Sequence, residues 1–396
     1  MVRASKFLHT FTIDYLSTID YLRRFMRVGI PTEIKNNEYR VAITPAGVAE
    51  LTNRGHDVLI QSGAGEGSAI SDVHFEAAGA QLSPGADEVW AEADLLLKVK
   101  EPIEAEYSRM REGQTLFTYL HLAASKPCTD ALLASRTTSI AYETVQTADG
   151  ALPLLAPMSE VAGRLSAQVG AYHLMRAQGG RGVLMGGVPG VAPAKVVVIG
   201  GGMAGDNAAA VAWGMGAHVT VFDLNIDILR KIDAEYGGAI ETRYSSGLEL
   251  QEAVTQADLV IGAVLIPGAK APKLVTSSTV AKTKPGAVLV DIAIDQGGCF
   301  EDSRPTTHDD PTFTVQDTVF YCVTNMPGAV PRTSTFALTN ATTPYVLRLA
   351  DEGWRAACQA DPALAKGLST HAGALLSEQV AADLELPFTD PATVLG

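Results

Sequence analysis

Two groups of residues in this chain have the types and spacing to do chemistry. The first lies in Lys195–Asp223, KVVVIGGGMAGDNAAAVAWGMGAHVTVFD. Its glycines fall as Gly200-x-Gly202-x-x-Gly205 directly after an apolar run, and Asp223 closes a second apolar run. Each glycine answers a separate demand: Gly200 a tight turn, Gly202 close approach of the backbone to a pyrophosphate, Gly205 close helix–strand packing. The amides at the helix start then face the phosphates, and an acid about twenty residues on accepts from a ribose 2′-hydroxyl. Asp223 also repels a 2′-phosphate, and Leu224, Asn225, Ile226 and Asp227 offer no arginine to hold one, so the spacing predicts NAD rather than NADP. Asp206 suits the helix dipole but disfavours a bound phosphate, so it is expected to point away.

The second group is a set of polar residues at strand ends and turns. Ligands of open α/β sheets gather outside the carboxyl ends of the strands. Asp295 follows AVLVDIAI and opens the turn Asp295-Gln296-Gly297-Gly298, and Asn325 follows FYCVT. Arg40, Lys100 and His121 stand at or near turns and strand ends on the N-terminal side. Each has a plainer reading. Arg40 lies in a charged turn, where an arginine is ordinarily solvated. Lys100 precedes Glu101-Pro102 as a surface lysine would, and His121 sits in the apolar run LFTYLHLAA as a core histidine would. Asp295 has the best case unaided, being placed near a nicotinamide, although an acid there also caps turns. Asp291 reads equally well as structural. Spacing alone stops at an NAD-dependent oxidoreductase of a small polar substrate.

The elements that must position these residues alternate. From Met26, RVGIPTE and DVLIQSG read as buried strands around a helix capped at Thr44, started by Pro45 and ended at Gly55. A glycine-rich loop (GAGEGSAIS) and a helix (DVHFEAAGA) follow. ADLLLKVKEP reads as a strand with Lys98 and Lys100 on one side, and LFTYL and SIAYETV as two more. Leu152–Gly180 is a long helical pattern entered after Pro157 and capped by Ser159, reading as an interdomain connector. Six strands with crossovers then make a doubly wound sheet, and the tail from Thr333 reads as helical. The fold class is therefore α/β with two α/β domains, one a Rossmann doubly wound parallel sheet and the other a discontinuous substrate domain. Expected boundaries are an extension at 1–25, a substrate domain over 26–158, a nucleotide-binding domain with its connecting helix over 159–330, and a helical return over 331–396. Two such domains predict hinge closure, with glycine-rich Gly179–Pro193 as the candidate hinge.

Composition narrows the class. An apolar fraction of 47% over 396 residues supplies ample core, and 44 acids against 30 bases disfavour nucleic acid or an anionic membrane as partner. Cys128, Cys299, Cys322 and Cys358 are scattered without metal-ligand spacing and read as reduced thiols of a cytosolic protein. In the first 25 residues Phe7, Phe11, Tyr15, Ile19 and Leu22 are roughly helically spaced, and Asp14 and Asp20 interrupt any signal core. The preferred reading is that translation naturally starts at Met26.

From Met26 to Gly396 the chain resembles bacterial alanine dehydrogenases. The resemblance is carried by GIPTEIKNNEYRVAITPAGVAELTNRGHDVLIQSGAGEGSAISD, DLLLKVKEP, FTYLHLAA, LPLLAPMSEVAGRL, VVVIGGGMAGDNAA, LVDIAIDQGGCFE and TSTFALTNAT, in family order. NNEYRVAITP and GAGEGS are shared with the NAD(H)-binding subunit of proton-translocating transhydrogenases. The resemblance implies that Arg40 and Lys100 hold the substrate carboxylate and carbonyl, with His121 and Asp295 the catalytic pair. It implies NAD binding by Ser159, Gly200, Gly202, Met203, Ala204, Gly205, Asp223, Ser245, Val264, Leu265, Ile292, Ala293, Ile294, Asp295, Arg304, Val323, Thr324, Asn325 and Met326. The implied reaction converts L-alanine, NAD⁺ and water reversibly to pyruvate, ammonium and NADH, in a cytoplasmic homohexamer. Some family members hold a divalent ion near the helix after NAT-x-PYVL through a glutamate and a histidine. Arg348 and Glu352 stand there in this chain, so no metal is expected at that place. A transhydrogenase-type NAD(H) subunit, a non-catalytic NAD-binding regulator and an enzyme aminating another small oxo acid such as glyoxylate are the competing readings.

Overall fold

The computed structural model describes residues 25–264 and 271–396. The helical spacing of Phe7, Phe11, Tyr15, Ile19 and Leu22, and the placement of Leu265, lie outside the described residues. The chain divides into two compact units: 25–154 with Leu338–Gly396, and Leu155–Ala337.

The first unit is built on an eight-stranded sheet. Its strands are β1 (Arg27–Ile30), β2 (Asp57–Gln61), β3 (Gln81–Ser83), β4 (Leu95–Leu97), β5 (Thr115–Thr118) and β6 (Thr138–Ala141). The second unit contributes β7 (Lys195–Ile199), β8 (His218–Asp223), β9 (Glu241–Tyr244), β10 (Leu259–Gly262), β11 (Val288–Asp291), β12 (Thr312–Val315) and β13 (Thr318–Tyr321). The chain then returns to the first unit within the helix Pro331–Ala360 and adds β14 (Leu368–His371) and β15 (Ala374–Leu375). The two sheets are ordered β15-β14-β6-β5-β4-β1-β2-β3 and β12-β13-β11-β10-β7-β8-β9. From β9 to β13 every pairing in the second is parallel.

Parallel strands must be covered on both faces, and β7 shows how. Val196 and Val198 join one apolar cluster with Ala208, Ala209 and Ala212, while Val197 and Ile199 join another with Phe222, Leu250 and Val254. The period of two thus divides one strand between two cores. The first cluster also contains Ala162, Leu165 and Ala167 of the helix Ala156–His173, so that helix belongs to the nucleotide unit's own core. Small residues bring it close: a Cβ on Gly163 would stand 2.1 Å from the Ala204 carbonyl oxygen.

Several expectations are corrected. The helix Ala156–His173 lies wholly within the second unit, directly after the chain enters it, and it starts at Ala156, which places Pro157 and Ser159 inside its first turn. Ser159 therefore does not cap it; its hydroxyl turns back to Leu155 O at 3.4 Å. The nucleotide unit has a seventh strand, β12, paired antiparallel with β13. It is a four-residue alternation, Thr-Phe-Thr-Val, set in a polar segment and joined to β13 by a tight turn at Gln316 and Asp317, both left-handed. The tail is not wholly helical: β14 pairs antiparallel with β6, completing the first sheet from the far end of the chain. Strand β4 ends at Leu97, so the alternation meant to put Lys98 and Lys100 on one side does not extend to them. The loop Gly179–Pro193 lies within the second unit, whereas the chain crosses between units at Leu154–Leu155 and Ala337–Leu338.

Gly163→Ala is expected to destabilise the nucleotide unit by about 1–3 kcal/mol, because the added methyl meets backbone that cannot rotate away. Thermal unfolding should fall by roughly 2–10 °C, with NADH affinity reduced because Ala204 lies in the Gly200–Gly205 segment. An unchanged melting temperature would refute this packing argument.

Candidate functional site

In the first unit the site grows from the ends of β1, β4, β5 and β6. Past β1, Thr32 N donates to Gln61 Oε1 at 2.9 Å, and Glu33 turns its carboxylate inward. Lys98, just past β4, meets Glu33 Oε2 and Glu106 Oε1, each at 2.9 Å, with all three side chains almost wholly buried. Burial opposes charge on Lys98, but the two carboxylates outweigh it and hold its pKa above the ordinary value. Glu33 also accepts the amide of Val99 at 2.6 Å, fixing the backbone next to Lys100. Glu33 carried no sequence signal, and Lys98 was placed only as a strand residue beside Lys100, with no partner named. A lysine alternating with leucines gives no sign of which carboxylates will reach it.

Arg40 is not the solvated turn residue of the plainer reading; its side chain is 1% exposed. Glu38 grips it with both oxygens, accepting from Nε at 2.7 Å and Nη2 at 2.5 Å, and accepts the Arg40 amide at 3.1 Å. Burial works against the guanidinium's charge, but Glu38 more than offsets it and the pKa is raised. The GAGEGS loop packs beneath this turn. A Cβ on Gly67 would stand 2.6 Å from Tyr39 O, and the Ser68 hydroxyl donates to that same oxygen at 3.0 Å.

Lys100 is buried rather than on the surface, and its Nζ lies 3.4 Å from His121 Nε2. The two meet because backbone bonds continue past the ladder: Lys98 N donates to Phe117 O and Tyr119 N to Val99 O, both at 3.3 Å. An ammonium can only donate, so in this contact Nε2 is placed as the acceptor. Lys100 also helps hold the neighbouring Glu101 carboxyl below its ordinary pKa, against the opposing effect of burial. His121 is half-buried and left-handed at φ 47°, a conformation that costs a residue with a Cβ roughly 1–2 kcal/mol.

In the second unit the candidates line one edge of the sheet. Gly200 follows β7, Asp223 ends β8, Ser245 follows β9, Val264 follows β10, Ile292–Gln296 is a 3₁₀ turn after β11, and Val323–Met326 follows β13. This is the carboxyl edge of six parallel strands. Ser159 and Arg304 are the described exceptions: Ser159 sits in the helix Ala156–His173, and Arg304 is an exposed loop residue with its guanidinium 4.1 Å from the Phe313 ring centroid.

The turn fits a dinucleotide. Gly200 has φ +94°, and a Cβ on Gly205 would stand 1.7 Å from Gly200 O, whereas one on Gly202 meets nothing within 4 Å. The backbone at Gly202 is thus open to a ligand while its neighbours are closed by their own chain, at a helix start whose first amides lack intrahelical acceptors. Asp223 accepts from the amides of Gly201 and Asn225, each at 2.7 Å, which holds its carboxylate beside the turn. Asp206 is turned aside by Tyr236 Oη at 3.0 Å and Lys231 Nζ at 3.3 Å.

Asp295 is exposed on its 3₁₀ turn, while Asp291 is wholly buried and structural. Asp291 accepts from the amides of Ala293 at 3.1 Å and Cys299 at 3.0 Å and from the Ser303 hydroxyl at 2.5 Å. Burial nonetheless raises its pKa against these donors. Lys273, which carried no sequence signal, closes the following turn by donating to the carbonyls of Gly297 and Phe300 at 2.6 and 3.0 Å.

At the place where relatives were expected to hold a divalent ion, Arg348 donates to Asp361 at 2.5 Å. Asp351 accepts from Arg54 at 2.6 Å and meets the His56 ring at 3.0 Å. Among the described residues, no group of three or more His, Cys, Asp or Glu side chains is arranged to hold a metal ion. None of the described helices is long and apolar enough to cross a membrane.

Residues 29–162 match the family described as alanine dehydrogenase/PNT, N-terminal domain, and residues 166–378 match its C-terminal domain. An alanine dehydrogenase of Mycolicibacterium smegmatis is 83% identical over 371 residues, which is 94% of this chain and 100% of that protein. A solved L-alanine dehydrogenase superposes with a TM-score of 0.89 at 49% identity, over 91% of this chain and 99% of its own. A transhydrogenase from Sinorhizobium meliloti superposes at 0.76 with 26% identity, over 89% and 99%. By both its domains and by identity over nearly its full length, the chain belongs to the alanine dehydrogenase/PNT family.

Proposed function

We propose that the protein is an NAD-dependent L-alanine dehydrogenase. It converts L-alanine, NAD⁺ and water to pyruvate, ammonium and NADH with release of a proton, and runs the reverse amination. The observation that carries this reading is the buried Lys100 beside the imidazole of His121. A hydride carrier between two nicotinamides needs neither a carbonyl-polarising cation nor a proton carrier, whereas an amino acid needs both. The 83% identity to an alanine dehydrogenase, against 26% to a transhydrogenase, supports the same choice.

In this reading Arg40, pre-oriented by Glu38, binds the substrate carboxylate with its planar fork, and Lys100 acts as a point charge on the carbonyl oxygen of pyruvate. NAD⁺, when bound by Gly200–Gly205, Asp223 and the residues following β9, β10, β11 and β13, supplies the hydride acceptor. His121 Nε2 takes a proton from the water that adds to the imine carbon, then returns it to the departing amine as the carbinolamine collapses. Asp295 has a supporting role in proton handling. The assembly is a homohexamer acting in the cytoplasm.

The direct test is NADH formation with NAD⁺ and a panel of L-amino acids. L-Alanine should be strongly preferred, and His121→Ala should lower kcat by about 10²–10⁴-fold while NADH binding persists. No turnover with any amino acid, despite clean NADH binding, would return the reading to a hydride carrier or regulator.

Deamination requires a neutral amine, so its rate should rise toward alkaline pH while amination peaks nearer neutrality; coincident optima in both directions would count against this. Asp223→Ala should weaken NADH about tenfold or more through loss of a charged acceptor, with a smaller effect on NADPH. Titration of both nucleotides reads the difference, and equal losses would remove Asp223 from ribose recognition.

A further inference from the structure

Strands β5 and β6 pair in parallel up to Thr118 opposite Ala141, and there the ladder stops. The next amides on the β5 side need other acceptors, and Glu143, two residues past β6, supplies them. Its Oε1 accepts from His121 N at 2.6 Å and Leu120 N at 3.1 Å, and its Oε2 lies 3.2 Å from Leu120 N. Two successive amides leading into a left-handed residue form a concavity that suits an anion. Here the chain's own carboxylate occupies it.

We propose that Glu143 is a positioning residue for His121, holding the histidine's left-handed backbone so that its imidazole faces Lys100; the proposal rests on the reading of His121 as the proton carrier. Left-handed backbone is disfavoured for a residue with a Cβ, so His121 at φ 47°, ψ 41° persists only where its surroundings impose it. Glu143 imposes it through the main chain, since its bonds go to amides rather than to the ring. The ring plane is set separately. Tyr119 stacks on the imidazole, with centroids 5.9 Å apart and planes 9° apart, and its hydroxyl is anchored on Leu154 O at 2.5 Å. Backbone and ring thus have different holders, and Nε2 is left directed at Lys100 Nζ. Without its acceptor the backbone returns toward φ < 0, which carries the ring away from Lys100.

The test compares Glu143→Ala, Glu143→Gln and Glu143→Asp in the full-length protein. Glu143→Ala removes the acceptor and should lower kcat for L-alanine about 10²-fold, with KM and NADH affinity little changed. Glu143→Gln keeps one oxygen able to accept from both amides and should restore most of the rate. Glu143→Asp keeps the charge but is one methylene too short, so it should rank below Glu143→Gln. In a His121→Ala background Glu143→Ala should cost nothing further, because its effect passes through His121. A readout independent of turnover is the carbethoxylation rate of His121, followed by peptide mass mapping, which should change in Glu143→Ala and return in Glu143→Gln.

Unchanged kcat and labelling in Glu143→Ala would overturn the proposal, as would an equal loss in the His121→Ala background. If Glu143→Ala fails to fold, the order of the other two decides, and Glu143→Asp matching or exceeding Glu143→Gln would assign the role to charge instead. If the unaltered protein fails to turn over L-alanine, the functional reading falls, and the labelling rates still decide whether Glu143 positions His121.

Discussion

The residues that carry chemistry in this protein sit just past the ends of strands, where a parallel ladder stops and the departing amides must find other acceptors. A buried amide left unpaired costs as much as a lost hydrogen bond, so the acceptor at each such place constrains the local backbone. Here it is repeatedly a carboxylate. Glu33 takes the Val99 amide beside Lys100, and Glu143 takes the Leu120 and His121 amides. Asp223 takes Gly201 at the nucleotide turn, and Asp291 takes Ala293 and Cys299 around the turn carrying Asp295. Bonds to a charged acceptor contribute about 1.5–3 kcal/mol against roughly 0.5–1.5 for neutral pairs, which is enough to hold a left-handed histidine.

Burying those carboxylates is itself costly, and the two units meet the cost differently. In the first unit Glu33, Glu106 and Glu38 are paired with buried cations, although burial still prevails at Glu33 and raises its pKa. Lys98 sits between Glu33 and Glu106, and Arg40 is gripped by both oxygens of Glu38. A buried pair gives modest net stability compared with an apolar replacement, but removing one partner costs about 3–5 kcal/mol. Such pairs act as registers, because the chain cannot slip without stranding a charge. In the second unit Asp291 has hydrogen-bond donors around it rather than a cation, and burial prevails over them in its pKa. It behaves as a clasp on a tight turn.

Close approach of backbone is the other recurrent device. Gly205 against Gly200, Gly163 against Ala204 and Gly67 against Tyr39 each bring main chain to within the space of a missing Cβ. The first two set the helices that shape the nucleotide turn, and the third seats the turn carrying Arg40. Gly202 differs from these three because its missing Cβ faces open space at the start of the helix Met203–Gly214.

The sequence by itself determined the α/β alternation, the nucleotide turn with its terminal acid, and a short set of polar candidates. All of these depend on local period or fixed spacing, which one stretch of chain contains in full. Arg40, Lys100 and His121 were nameable, but on local grounds each had an equally plain reading as a solvated or core residue. Only the tertiary structure decided otherwise, by burying Arg40 against Glu38 and setting Lys100 beside a residue twenty-one positions on. The strands β12, β14 and β15 were missed for a related reason. They are only two to four residues long, too short for a period to stand out, and they exist because a partner edge offers unpaired backbone. Glu33, Lys98 and Glu143 were illegible for the most general reason: a charged side chain announces its charge in sequence, but its partner lies across a ladder whose register only the folded sheet establishes.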